Sequence, residues 1–464
     1  MATSTRSRRQ QQRSPGPSSA AAPPTSPRTA PPSGGPPRGG TVAEAVEPLV
    51  HALLGEEPPV RIELWDDSAI GPADPIGTIR VRSRDALRRI LWAPGELGLA
   101  RAHVCGDLDV EGDMVAMLAL LSRVAPRDQH LGLRGSLRSL GAARKAGAIG
   151  RPLPPPPEEA HQRGRRHSKR RDAEAIAHHY DVGNDFYDIV LGPAMTYSCA
   201  YFDREGATLA EAQAAKHELV CRKLGLHERP EPRLLDVGCG WGSMALHAVT
   251  HHGARAVGVT ISKEQVERAR QRAIAAGVAD RVEFRLQDYR DLQGETFDGI
   301  SSIGMFEHVG QARMEEYFQT LRGLLPPGGR LLNHAISSVG GSRLRGRSFT
   351  GRYVFPDGEL LDVADVTAAM EGAGFEVRDV HSLREHYAAT LRQWVANLER
   401  DYDRAVELVG EARARVWRLY MAASAVGFDD GGISIHQVLG VVPGPTGESG
   451  MPPTRDGWAT SAAP

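Results

Sequence analysis

Cysteine is scarce in this chain: four residues, Cys105, Cys199, Cys221 and Cys239, stand apart with no CxxC spacing among them. That pattern suggests neither a disulfide framework nor a zinc site, and it suits a reducing cytoplasm. Long apolar runs are missing too, since no uninterrupted stretch approaches the roughly 20 residues that a membrane-spanning helix needs. The Arg8-Arg9 pair is followed by Gln, Ser, Pro and Ala instead of an apolar segment, which removes the reading of an export signal. Acidic residues are absent from the first 41 positions, which carry six arginines, yet the whole chain has a net charge of −1. No overall nucleic-acid binder is implied.

What is present fits a globular protein with tails. With 464 residues and 41% hydrophobic content there is material for two or three domains. Residues 1–40, rich in Pro, Ser, Ala, Gly and Arg, bury too little apolar surface to offset the entropy of ordering and are expected to be disordered. Thr41-Val-Ala-Glu44 has capping-box spacing and opens an apolar helical pattern. Alternation at Val60, Ile62 and Leu64 and at Ile79 and Val81, with a helical Ser83 to Trp92, makes 41–127 a small α/β domain. From 128 to 172 the chain is basic and proline-rich, with Pro152 to Pro157 and the cluster Arg163, Arg165, Arg166, Lys169, Arg170, Arg171. This stretch is either a solvated linker or a contact for anionic phospholipid headgroups.

A larger domain is read over 173–440. Strands at Leu234 to Gly238, Ala256 to Ile261, Val282 to Leu286, Phe297 to Ile303 and Gly329 to Ile336 alternate with helices at Ser243 to His251, Lys263 to Ala276 and Ala312 to Leu325. Such alternation predicts a parallel, doubly wound sheet that binds ligands beyond the C-terminal strand ends. Two helices, Ala388 to Leu408 and Glu411 to Ala425, follow, and a polar tail over 441–464 is expected to fray. The organising stretch is Arg233-Leu-Leu-Asp-Val-Gly-Cys-Gly-Trp-Gly242: a strand, three alternate glycines and a helix start. Glycine lets a ligand approach the backbone, and the helix start offers free N–H groups; a tight turn without a ligand is the plainer alternative.

The Asp-x-Gly-x-Gly-x-Gly spacing differs from Gly-x-Gly-x-x-Gly and resembles the nucleotide motif of class I S-adenosylmethionine (SAM) methyltransferases. Four further motifs, His179-Tyr-Asp-Val-Gly-Asn-Asp-Phe-Tyr187, Met195-Thr-Tyr-Ser-Cys-Ala-Tyr-Phe202, Gly304-Met-Phe-Glu-His-Val-Gly310 and Tyr353-Val-Phe-Pro-Asp-Gly-Glu-Leu360, resemble the cyclopropane-fatty-acid synthase family, which includes the mycolic-acid cyclopropane synthases. The resemblance spans about residues 60 to 440. It implies an α/β chain with a Rossmann-like class I methyltransferase domain, a smaller N-terminal α/β domain that docks on lipid or merely dimerises, and a disordered N-terminal tail.

The resemblance also implies an activity, transfer of the SAM methyl group to a cis double bond of an unsaturated acyl chain, and it implies site residues. SAM would be held by Tyr197, Ser198, Asp236, Gly238, Gly240, Gly242, Thr260, Gln265, Asp288 and Tyr289, although Asp236 taken alone also reads as a buried structural residue. A bound bicarbonate would act as base, held by Glu307, His334 and Tyr387 with backbone at Cys199 and Ile336; alone, His334 reads as a core histidine. Cys199 has no local base, which argues against covalent catalysis. Tyr197, Tyr201, Phe306, Tyr353 and Phe355 are candidates for ring faces toward a cation, or for core packing.

In the segment Phe355-Pro-Asp357-Gly-Glu-Leu360 an aspartate stands where glycine is more usual, and the chain closes with Gly431-Gly-Ile-Ser-Ile-His-Gln-Val-Leu439. Both resemble the branch that makes 10-methylene chains of the tuberculostearic type for a separate reductase, which puts that product ahead of ring closure. A small-molecule methyltransferase and a non-catalytic lipid-binding protein are the rival readings. The expected partners are anionic membrane phospholipids and the acyl substrate, with no nucleic acid and no metal. The expected location is cytoplasmic and peripheral on the inner face of the cell membrane, and a homodimer is left open.

Overall fold

The computed structural model describes residues 40–124, 141–160, 171, 182–341 and 348–458. The Thr41 capping box is made: the Thr41 hydroxyl accepts from the Glu44 N–H at 3.2 Å, and the Glu44 carboxylate accepts from the Thr41 N–H at 3.1 Å, starting the helix Val42–Leu54. Strands β1 (Arg61–Glu63), β2 (Ala69–Ile70), β3 (Gly77–Val81) and β4 (Leu108–Gly112) form a sheet in the order β2-β1-β3-β4. Val46, Val60, Ile62, Val81, Leu108 and Met117 make its core.

The larger sheet contains β5 (Arg233–Val237), β6 (Arg255–Thr260), β7 (Val282–Leu286), β8 (Gly299–Ile303), β9 (Arg330–Ser338), β10 (Leu361–Asp362), β11 (Glu376–Ser382) and β12 (Ile433–Val441). Its order is β11-β12-β9-β8-β5-β6-β7, with the short β10 paired to β9 off this path. Strands β5 to β9 are mutually parallel, and β5 and β8 at the centre are nearly all buried, as a sheet covered on both faces requires. One face packs on the helices Leu209–Leu224 and Ser243–His252, and the other on Met314–Arg322.

Four expectations need correction. The sheet is mixed: β12 runs antiparallel between β9 and β11, burying Ile435, Val438 and Leu439. The helix expected over Ala388 to Leu408 breaks at Asp401, giving Arg384–Arg400 and Tyr402–Val409. The tail expected to fray packs instead over 441–458, because Val442 is buried, Trp458 inserts its ring into the core beside Leu219, and the Gly450 carbonyl accepts from Arg330 Nη2 at 3.1 Å. The proline-rich stretch is docked over 150–160: Trp92 Nε1 donates to the Gly150 carbonyl at 3.0 Å, and the buried Glu159 carboxylate receives both Nε and Nη2 of Arg101 at 2.8 Å. The cluster from Arg163 to Arg170 lies outside the described residues, as do His179 to Asp181 of the first motif.

The N-terminal and C-terminal segments share one apolar cluster, in which Ala100, Val104, Met114 and Val115 meet Phe186, Tyr187, Trp417 and Tyr420. Among the described residues no helix is long and apolar enough to cross a membrane.

Candidate functional site

The glycine turn after β5 is held by the neighbouring strand, since the Gly238 and Cys239 N–H groups both donate to the Val259 carbonyl, at 2.9 and 3.0 Å. Gly238 has φ +74° and a Cβ there would lie 2.8 Å from Met305; Gly242 has φ +83° and a Cβ there would lie 2.5 Å from the Phe284 ring. Both positions therefore exclude a side chain twice over, by conformation and by space.

Three adjoining cavities open at this end of the sheet. The first is lined by Gly238, Thr260, Asp288, Tyr289 and Met305, among others. The second is lined by Tyr197, Ser198, Lys216, His217, Gly238, Gly240, Thr260 and Gln265. The third encloses about 800 Å³ of space, part of it open to solvent, and is lined by Tyr197, Glu307, Ile336, Phe355, Tyr387, Tyr420 and Phe428. Gly238 and Thr260 wall both the first and the second, Tyr197 and Gly304 both the second and the third, and His308 all three.

Hydrogen bonds fix several of these groups. Thr260 Oγ1 donates to Gln265 Oε1 at 2.8 Å, and Asp288 receives Arg290 Nε at 2.8 Å and Nη2 at 2.6 Å. Asp236 and Gly242, expected at the cofactor, line none of the three cavities. The Asp236 carboxylate accepts from Ser301 at 2.8 Å, and burial pushes it up to about 6, so it braces the strand behind the turn. Gly242 serves the packing of Phe284. Lys216, fully buried, donates to Ser198 Oγ at 3.0 Å, and burial lowers its ammonium to about 8.

The wall of the third cavity holds a carboxyl group with spare capacity. Glu307 Oε1 accepts from the Ile336 N–H at 2.7 Å, while Oε2 is buried without a hydrogen-bond partner. Burial raises Glu307 to about 7, against the lowering effect of the Ile336 N–H. His334 lies two residues before Ile336 on β9, opposite Ile303 at the end of β8, and stands behind the cavity wall instead of in it. It is fully buried, so burial holds its imidazole well below the usual histidine range. Its Nε2 also lacks a partner, and its Nδ1 faces Gln437 of β12 at 3.5 Å. Cys199 is fully buried, its thiol pushed up by burial, with Sγ 3.2 Å from the Ala200 carbonyl; that environment suits no nucleophile.

Of the five aromatic candidates, Tyr197 and Phe355 line the third cavity. The others do not: Phe306 packs on Tyr317 and Phe318, Tyr201 on His386, and Tyr353 points its hydroxyl at Glu159. Tyr387, Tyr420 and Phe428 complete the ring-faced wall, and Tyr197 stacks on Trp394 at 5.2 Å. Lys216, His217, His308 and Tyr420 were missed in the sequence; His308 alone had a signal, lying inside the Gly304 to Gly310 motif.

The model of the mycolic acid cyclopropane synthetase family matches residues 167–438. A probable fatty acid methyltransferase of Mycobacterium tuberculosis is 42% identical over 413 residues, covering 86% of this chain and 95% of the relative. The tuberculostearic acid methyltransferase of the same organism is 32% identical over 406 residues, covering 83% and 88%. The crystal structure of a mycolic acid cyclopropane synthase complexed with S-adenosylhomocysteine has 34% identity and a TM-score of 0.54, covering 58% of this chain and 97% of that one. With the glycine turn, the parallel strands and the adjoining cavities in place, the chain belongs to the mycolic acid cyclopropane synthetase family and has the class I SAM methyltransferase fold.

Proposed function

We propose that this protein transfers the methyl group of SAM to the cis double bond of an unsaturated phospholipid acyl chain and releases a 10-methylene chain. The observation that carries the reading is an aromatic cavity with a buried, half-satisfied carboxyl in its wall, adjoining a second cavity that holds a buried ammonium. When bound, SAM supplies an electrophilic methyl group on a sulfonium, and a bicarbonate supplies a proton acceptor. Lys216 and Ser198 are placed to hold a carboxylate, Thr260 and Gln265 a pair of hydroxyls, and Tyr289 the face of a base.

Tyr197, Tyr387, Tyr420 and Phe428 offer ring faces to positive charge on the alkyl chain, and Glu307 in the same wall, raised by burial, is held as a carboxylic acid and not as a carboxylate that would itself be alkylated. With SAM bound, the π electrons would form the new carbon–carbon bond as the sulfonium–methyl bond breaks and S-adenosylhomocysteine leaves; a hydride would pass from the methylated carbon to the adjacent cationic carbon, and the added methyl carbon would then lose a proton to give the methylene. Glu307 Oε2, buried and unpartnered in the cavity wall, fits a small oxyanion that accepts it, with Glu307 sharing a proton; His334, behind that wall, supports the strand that carries Ile336. A second outcome, direct ring closure, is favoured by the likeness to a cyclopropane synthase. The Phe355-Pro-Asp357-Gly segment, through its resemblance to the 10-methylene branch, and the tuberculostearic relative favour the methylene product.

We place the protein at the inner face of the membrane without a spanning segment, the smaller domain and basic stretch contacting anionic lipid, and its product going to a separate reductase. Expression in a host rich in oleoyl phospholipids tests the reaction. The two products are isomers, so proton NMR must distinguish exocyclic methylene from ring methylene. Methylation of a soluble amine with no change in the membrane lipids would refute the proposal.

A further inference from the structure

Away from these three cavities, a second group of side chains converges between the helices Leu209–Leu224 and Ser243–His252. Glu218 Oε2 lies 3.2 Å from His247 Nε2 and 2.8 Å from His252 Nε2, so two imidazoles already point at one oxygen. The free, buried Cys221 brings its sulfur close to the two imidazoles: its Sγ and one ring nitrogen of each histidine all lie within 4.8 Å of one another, a group that Glu218 adjoins without being part of it. Glu218 Oε1 is fixed separately by Arg222 Nε at 2.6 Å. The histidine side chains keep 12% and 7% exposure, which leaves an entry path from solvent.

We propose that Cys221, His247 and His252 bind one zinc ion that clamps helix Leu209–Leu224 to helix Ser243–His252, with Glu218, already against both imidazoles, turning in as the fourth ligand. One sulfur, two imidazoles and one carboxylate suit tetrahedral zinc, with bonds of about 2.3 Å to sulfur and about 2.0 Å to nitrogen, whereas magnesium and calcium prefer oxygen alone. On binding, the Cys221 thiol gives up its proton to solvent, and each imidazole carries its ring proton on Nδ1 with Nε2 toward the ion. Arg222 remains on the other carboxylate oxygen and orients it. The spacing along the chain gave no hint because the ligands come from two helices. The same helices supply Lys216 and Ser243 to the second cavity, and His217, also lining it, packs 5.6 Å from the His247 ring.

The test uses the untagged full chain, stripped with a chelator and titrated with zinc against a chromophoric competitor. We expect one zinc per chain with at least micromolar affinity, and thiolate-to-metal absorption in the cobalt-loaded protein. Cys221→Ser should abolish that absorption, Cys221→Ser and His252→Gln should each weaken zinc binding about a hundredfold, and His251→Gln, at the exposed neighbour, should leave it unchanged. No stoichiometric zinc, cobalt absorption without a thiolate band, or wild-type affinity in both ligand variants would overturn the proposal. These readouts do not depend on methyl transfer.

Discussion

Replacing Glu307 by Gln separates the two properties that the structure gives this side chain. The amide oxygen can still accept from the Ile336 N–H, now 2.7 Å from Oε1, so the packing is kept. What disappears is a titratable proton in a buried site. A carboxyl raised from 4.5 to about 7 corresponds to about 3 kcal/mol of preference for the protonated form in the folded protein. The folded state holds more protons than the unfolded state between those two values, so this stability is present below pH 4.5 and is lost as pH rises to about 7. Urea unfolding of wild type and Glu307→Gln in bicarbonate-free buffer, from about pH 4.5 to 8, should therefore show a steeper decline for wild type, by about 3 kcal/mol in total. Subtraction removes the similar contribution of Asp236, pushed up to about 6 by burial. Turnover on oleoyl phospholipid vesicles should fall about a hundredfold or more, with SAM affinity within a few-fold of wild type. Parallel pH profiles, or near wild-type turnover, would refute the assignment of Glu307 as a proton-sharing group.

Lys216→Met keeps the length of the buried chain and removes its charge, so SAM affinity measured by calorimetry should fall by about tenfold to a hundredfold, the loss of one charged hydrogen bond; unchanged affinity would remove the carboxylate role. Replacing Arg163, Arg165 and Arg166 by Ser should weaken binding to anionic vesicles by about 3 kcal/mol and flatten its salt dependence. No change in vesicle co-sedimentation would leave that stretch without a membrane role.

The strands β5 to β9 were legible because burial on both faces gives short apolar runs punctuated by glycine and proline, as in Leu234 to Gly238 and before Gly329. Strand β11 was not, since Glu376–Ser382 is charged and half exposed at the edge of the sheet. Strand β12 alternates well, but its place between β9 and β11 depends on partners far away in the chain. The same holds for the site. Glu307 and Ile336 were readable through their motifs, whereas Lys216 and Tyr420 sit on ordinary-looking helices whose route to the cavities only the fold reveals.

The position of β12 also sets the order in which the protein can be finished. His334 is covered by Gln437, and β9 is paired along its length by residues 433–441, about a hundred positions later in the chain. During synthesis everything before Ile433 emerges with that strand edge open and that imidazole uncovered, so the third cavity, which Ile433 helps to line, is completed only once β12 has left the ribosome. A nascent or truncated chain would expose a sticky ribbon instead of an enzyme.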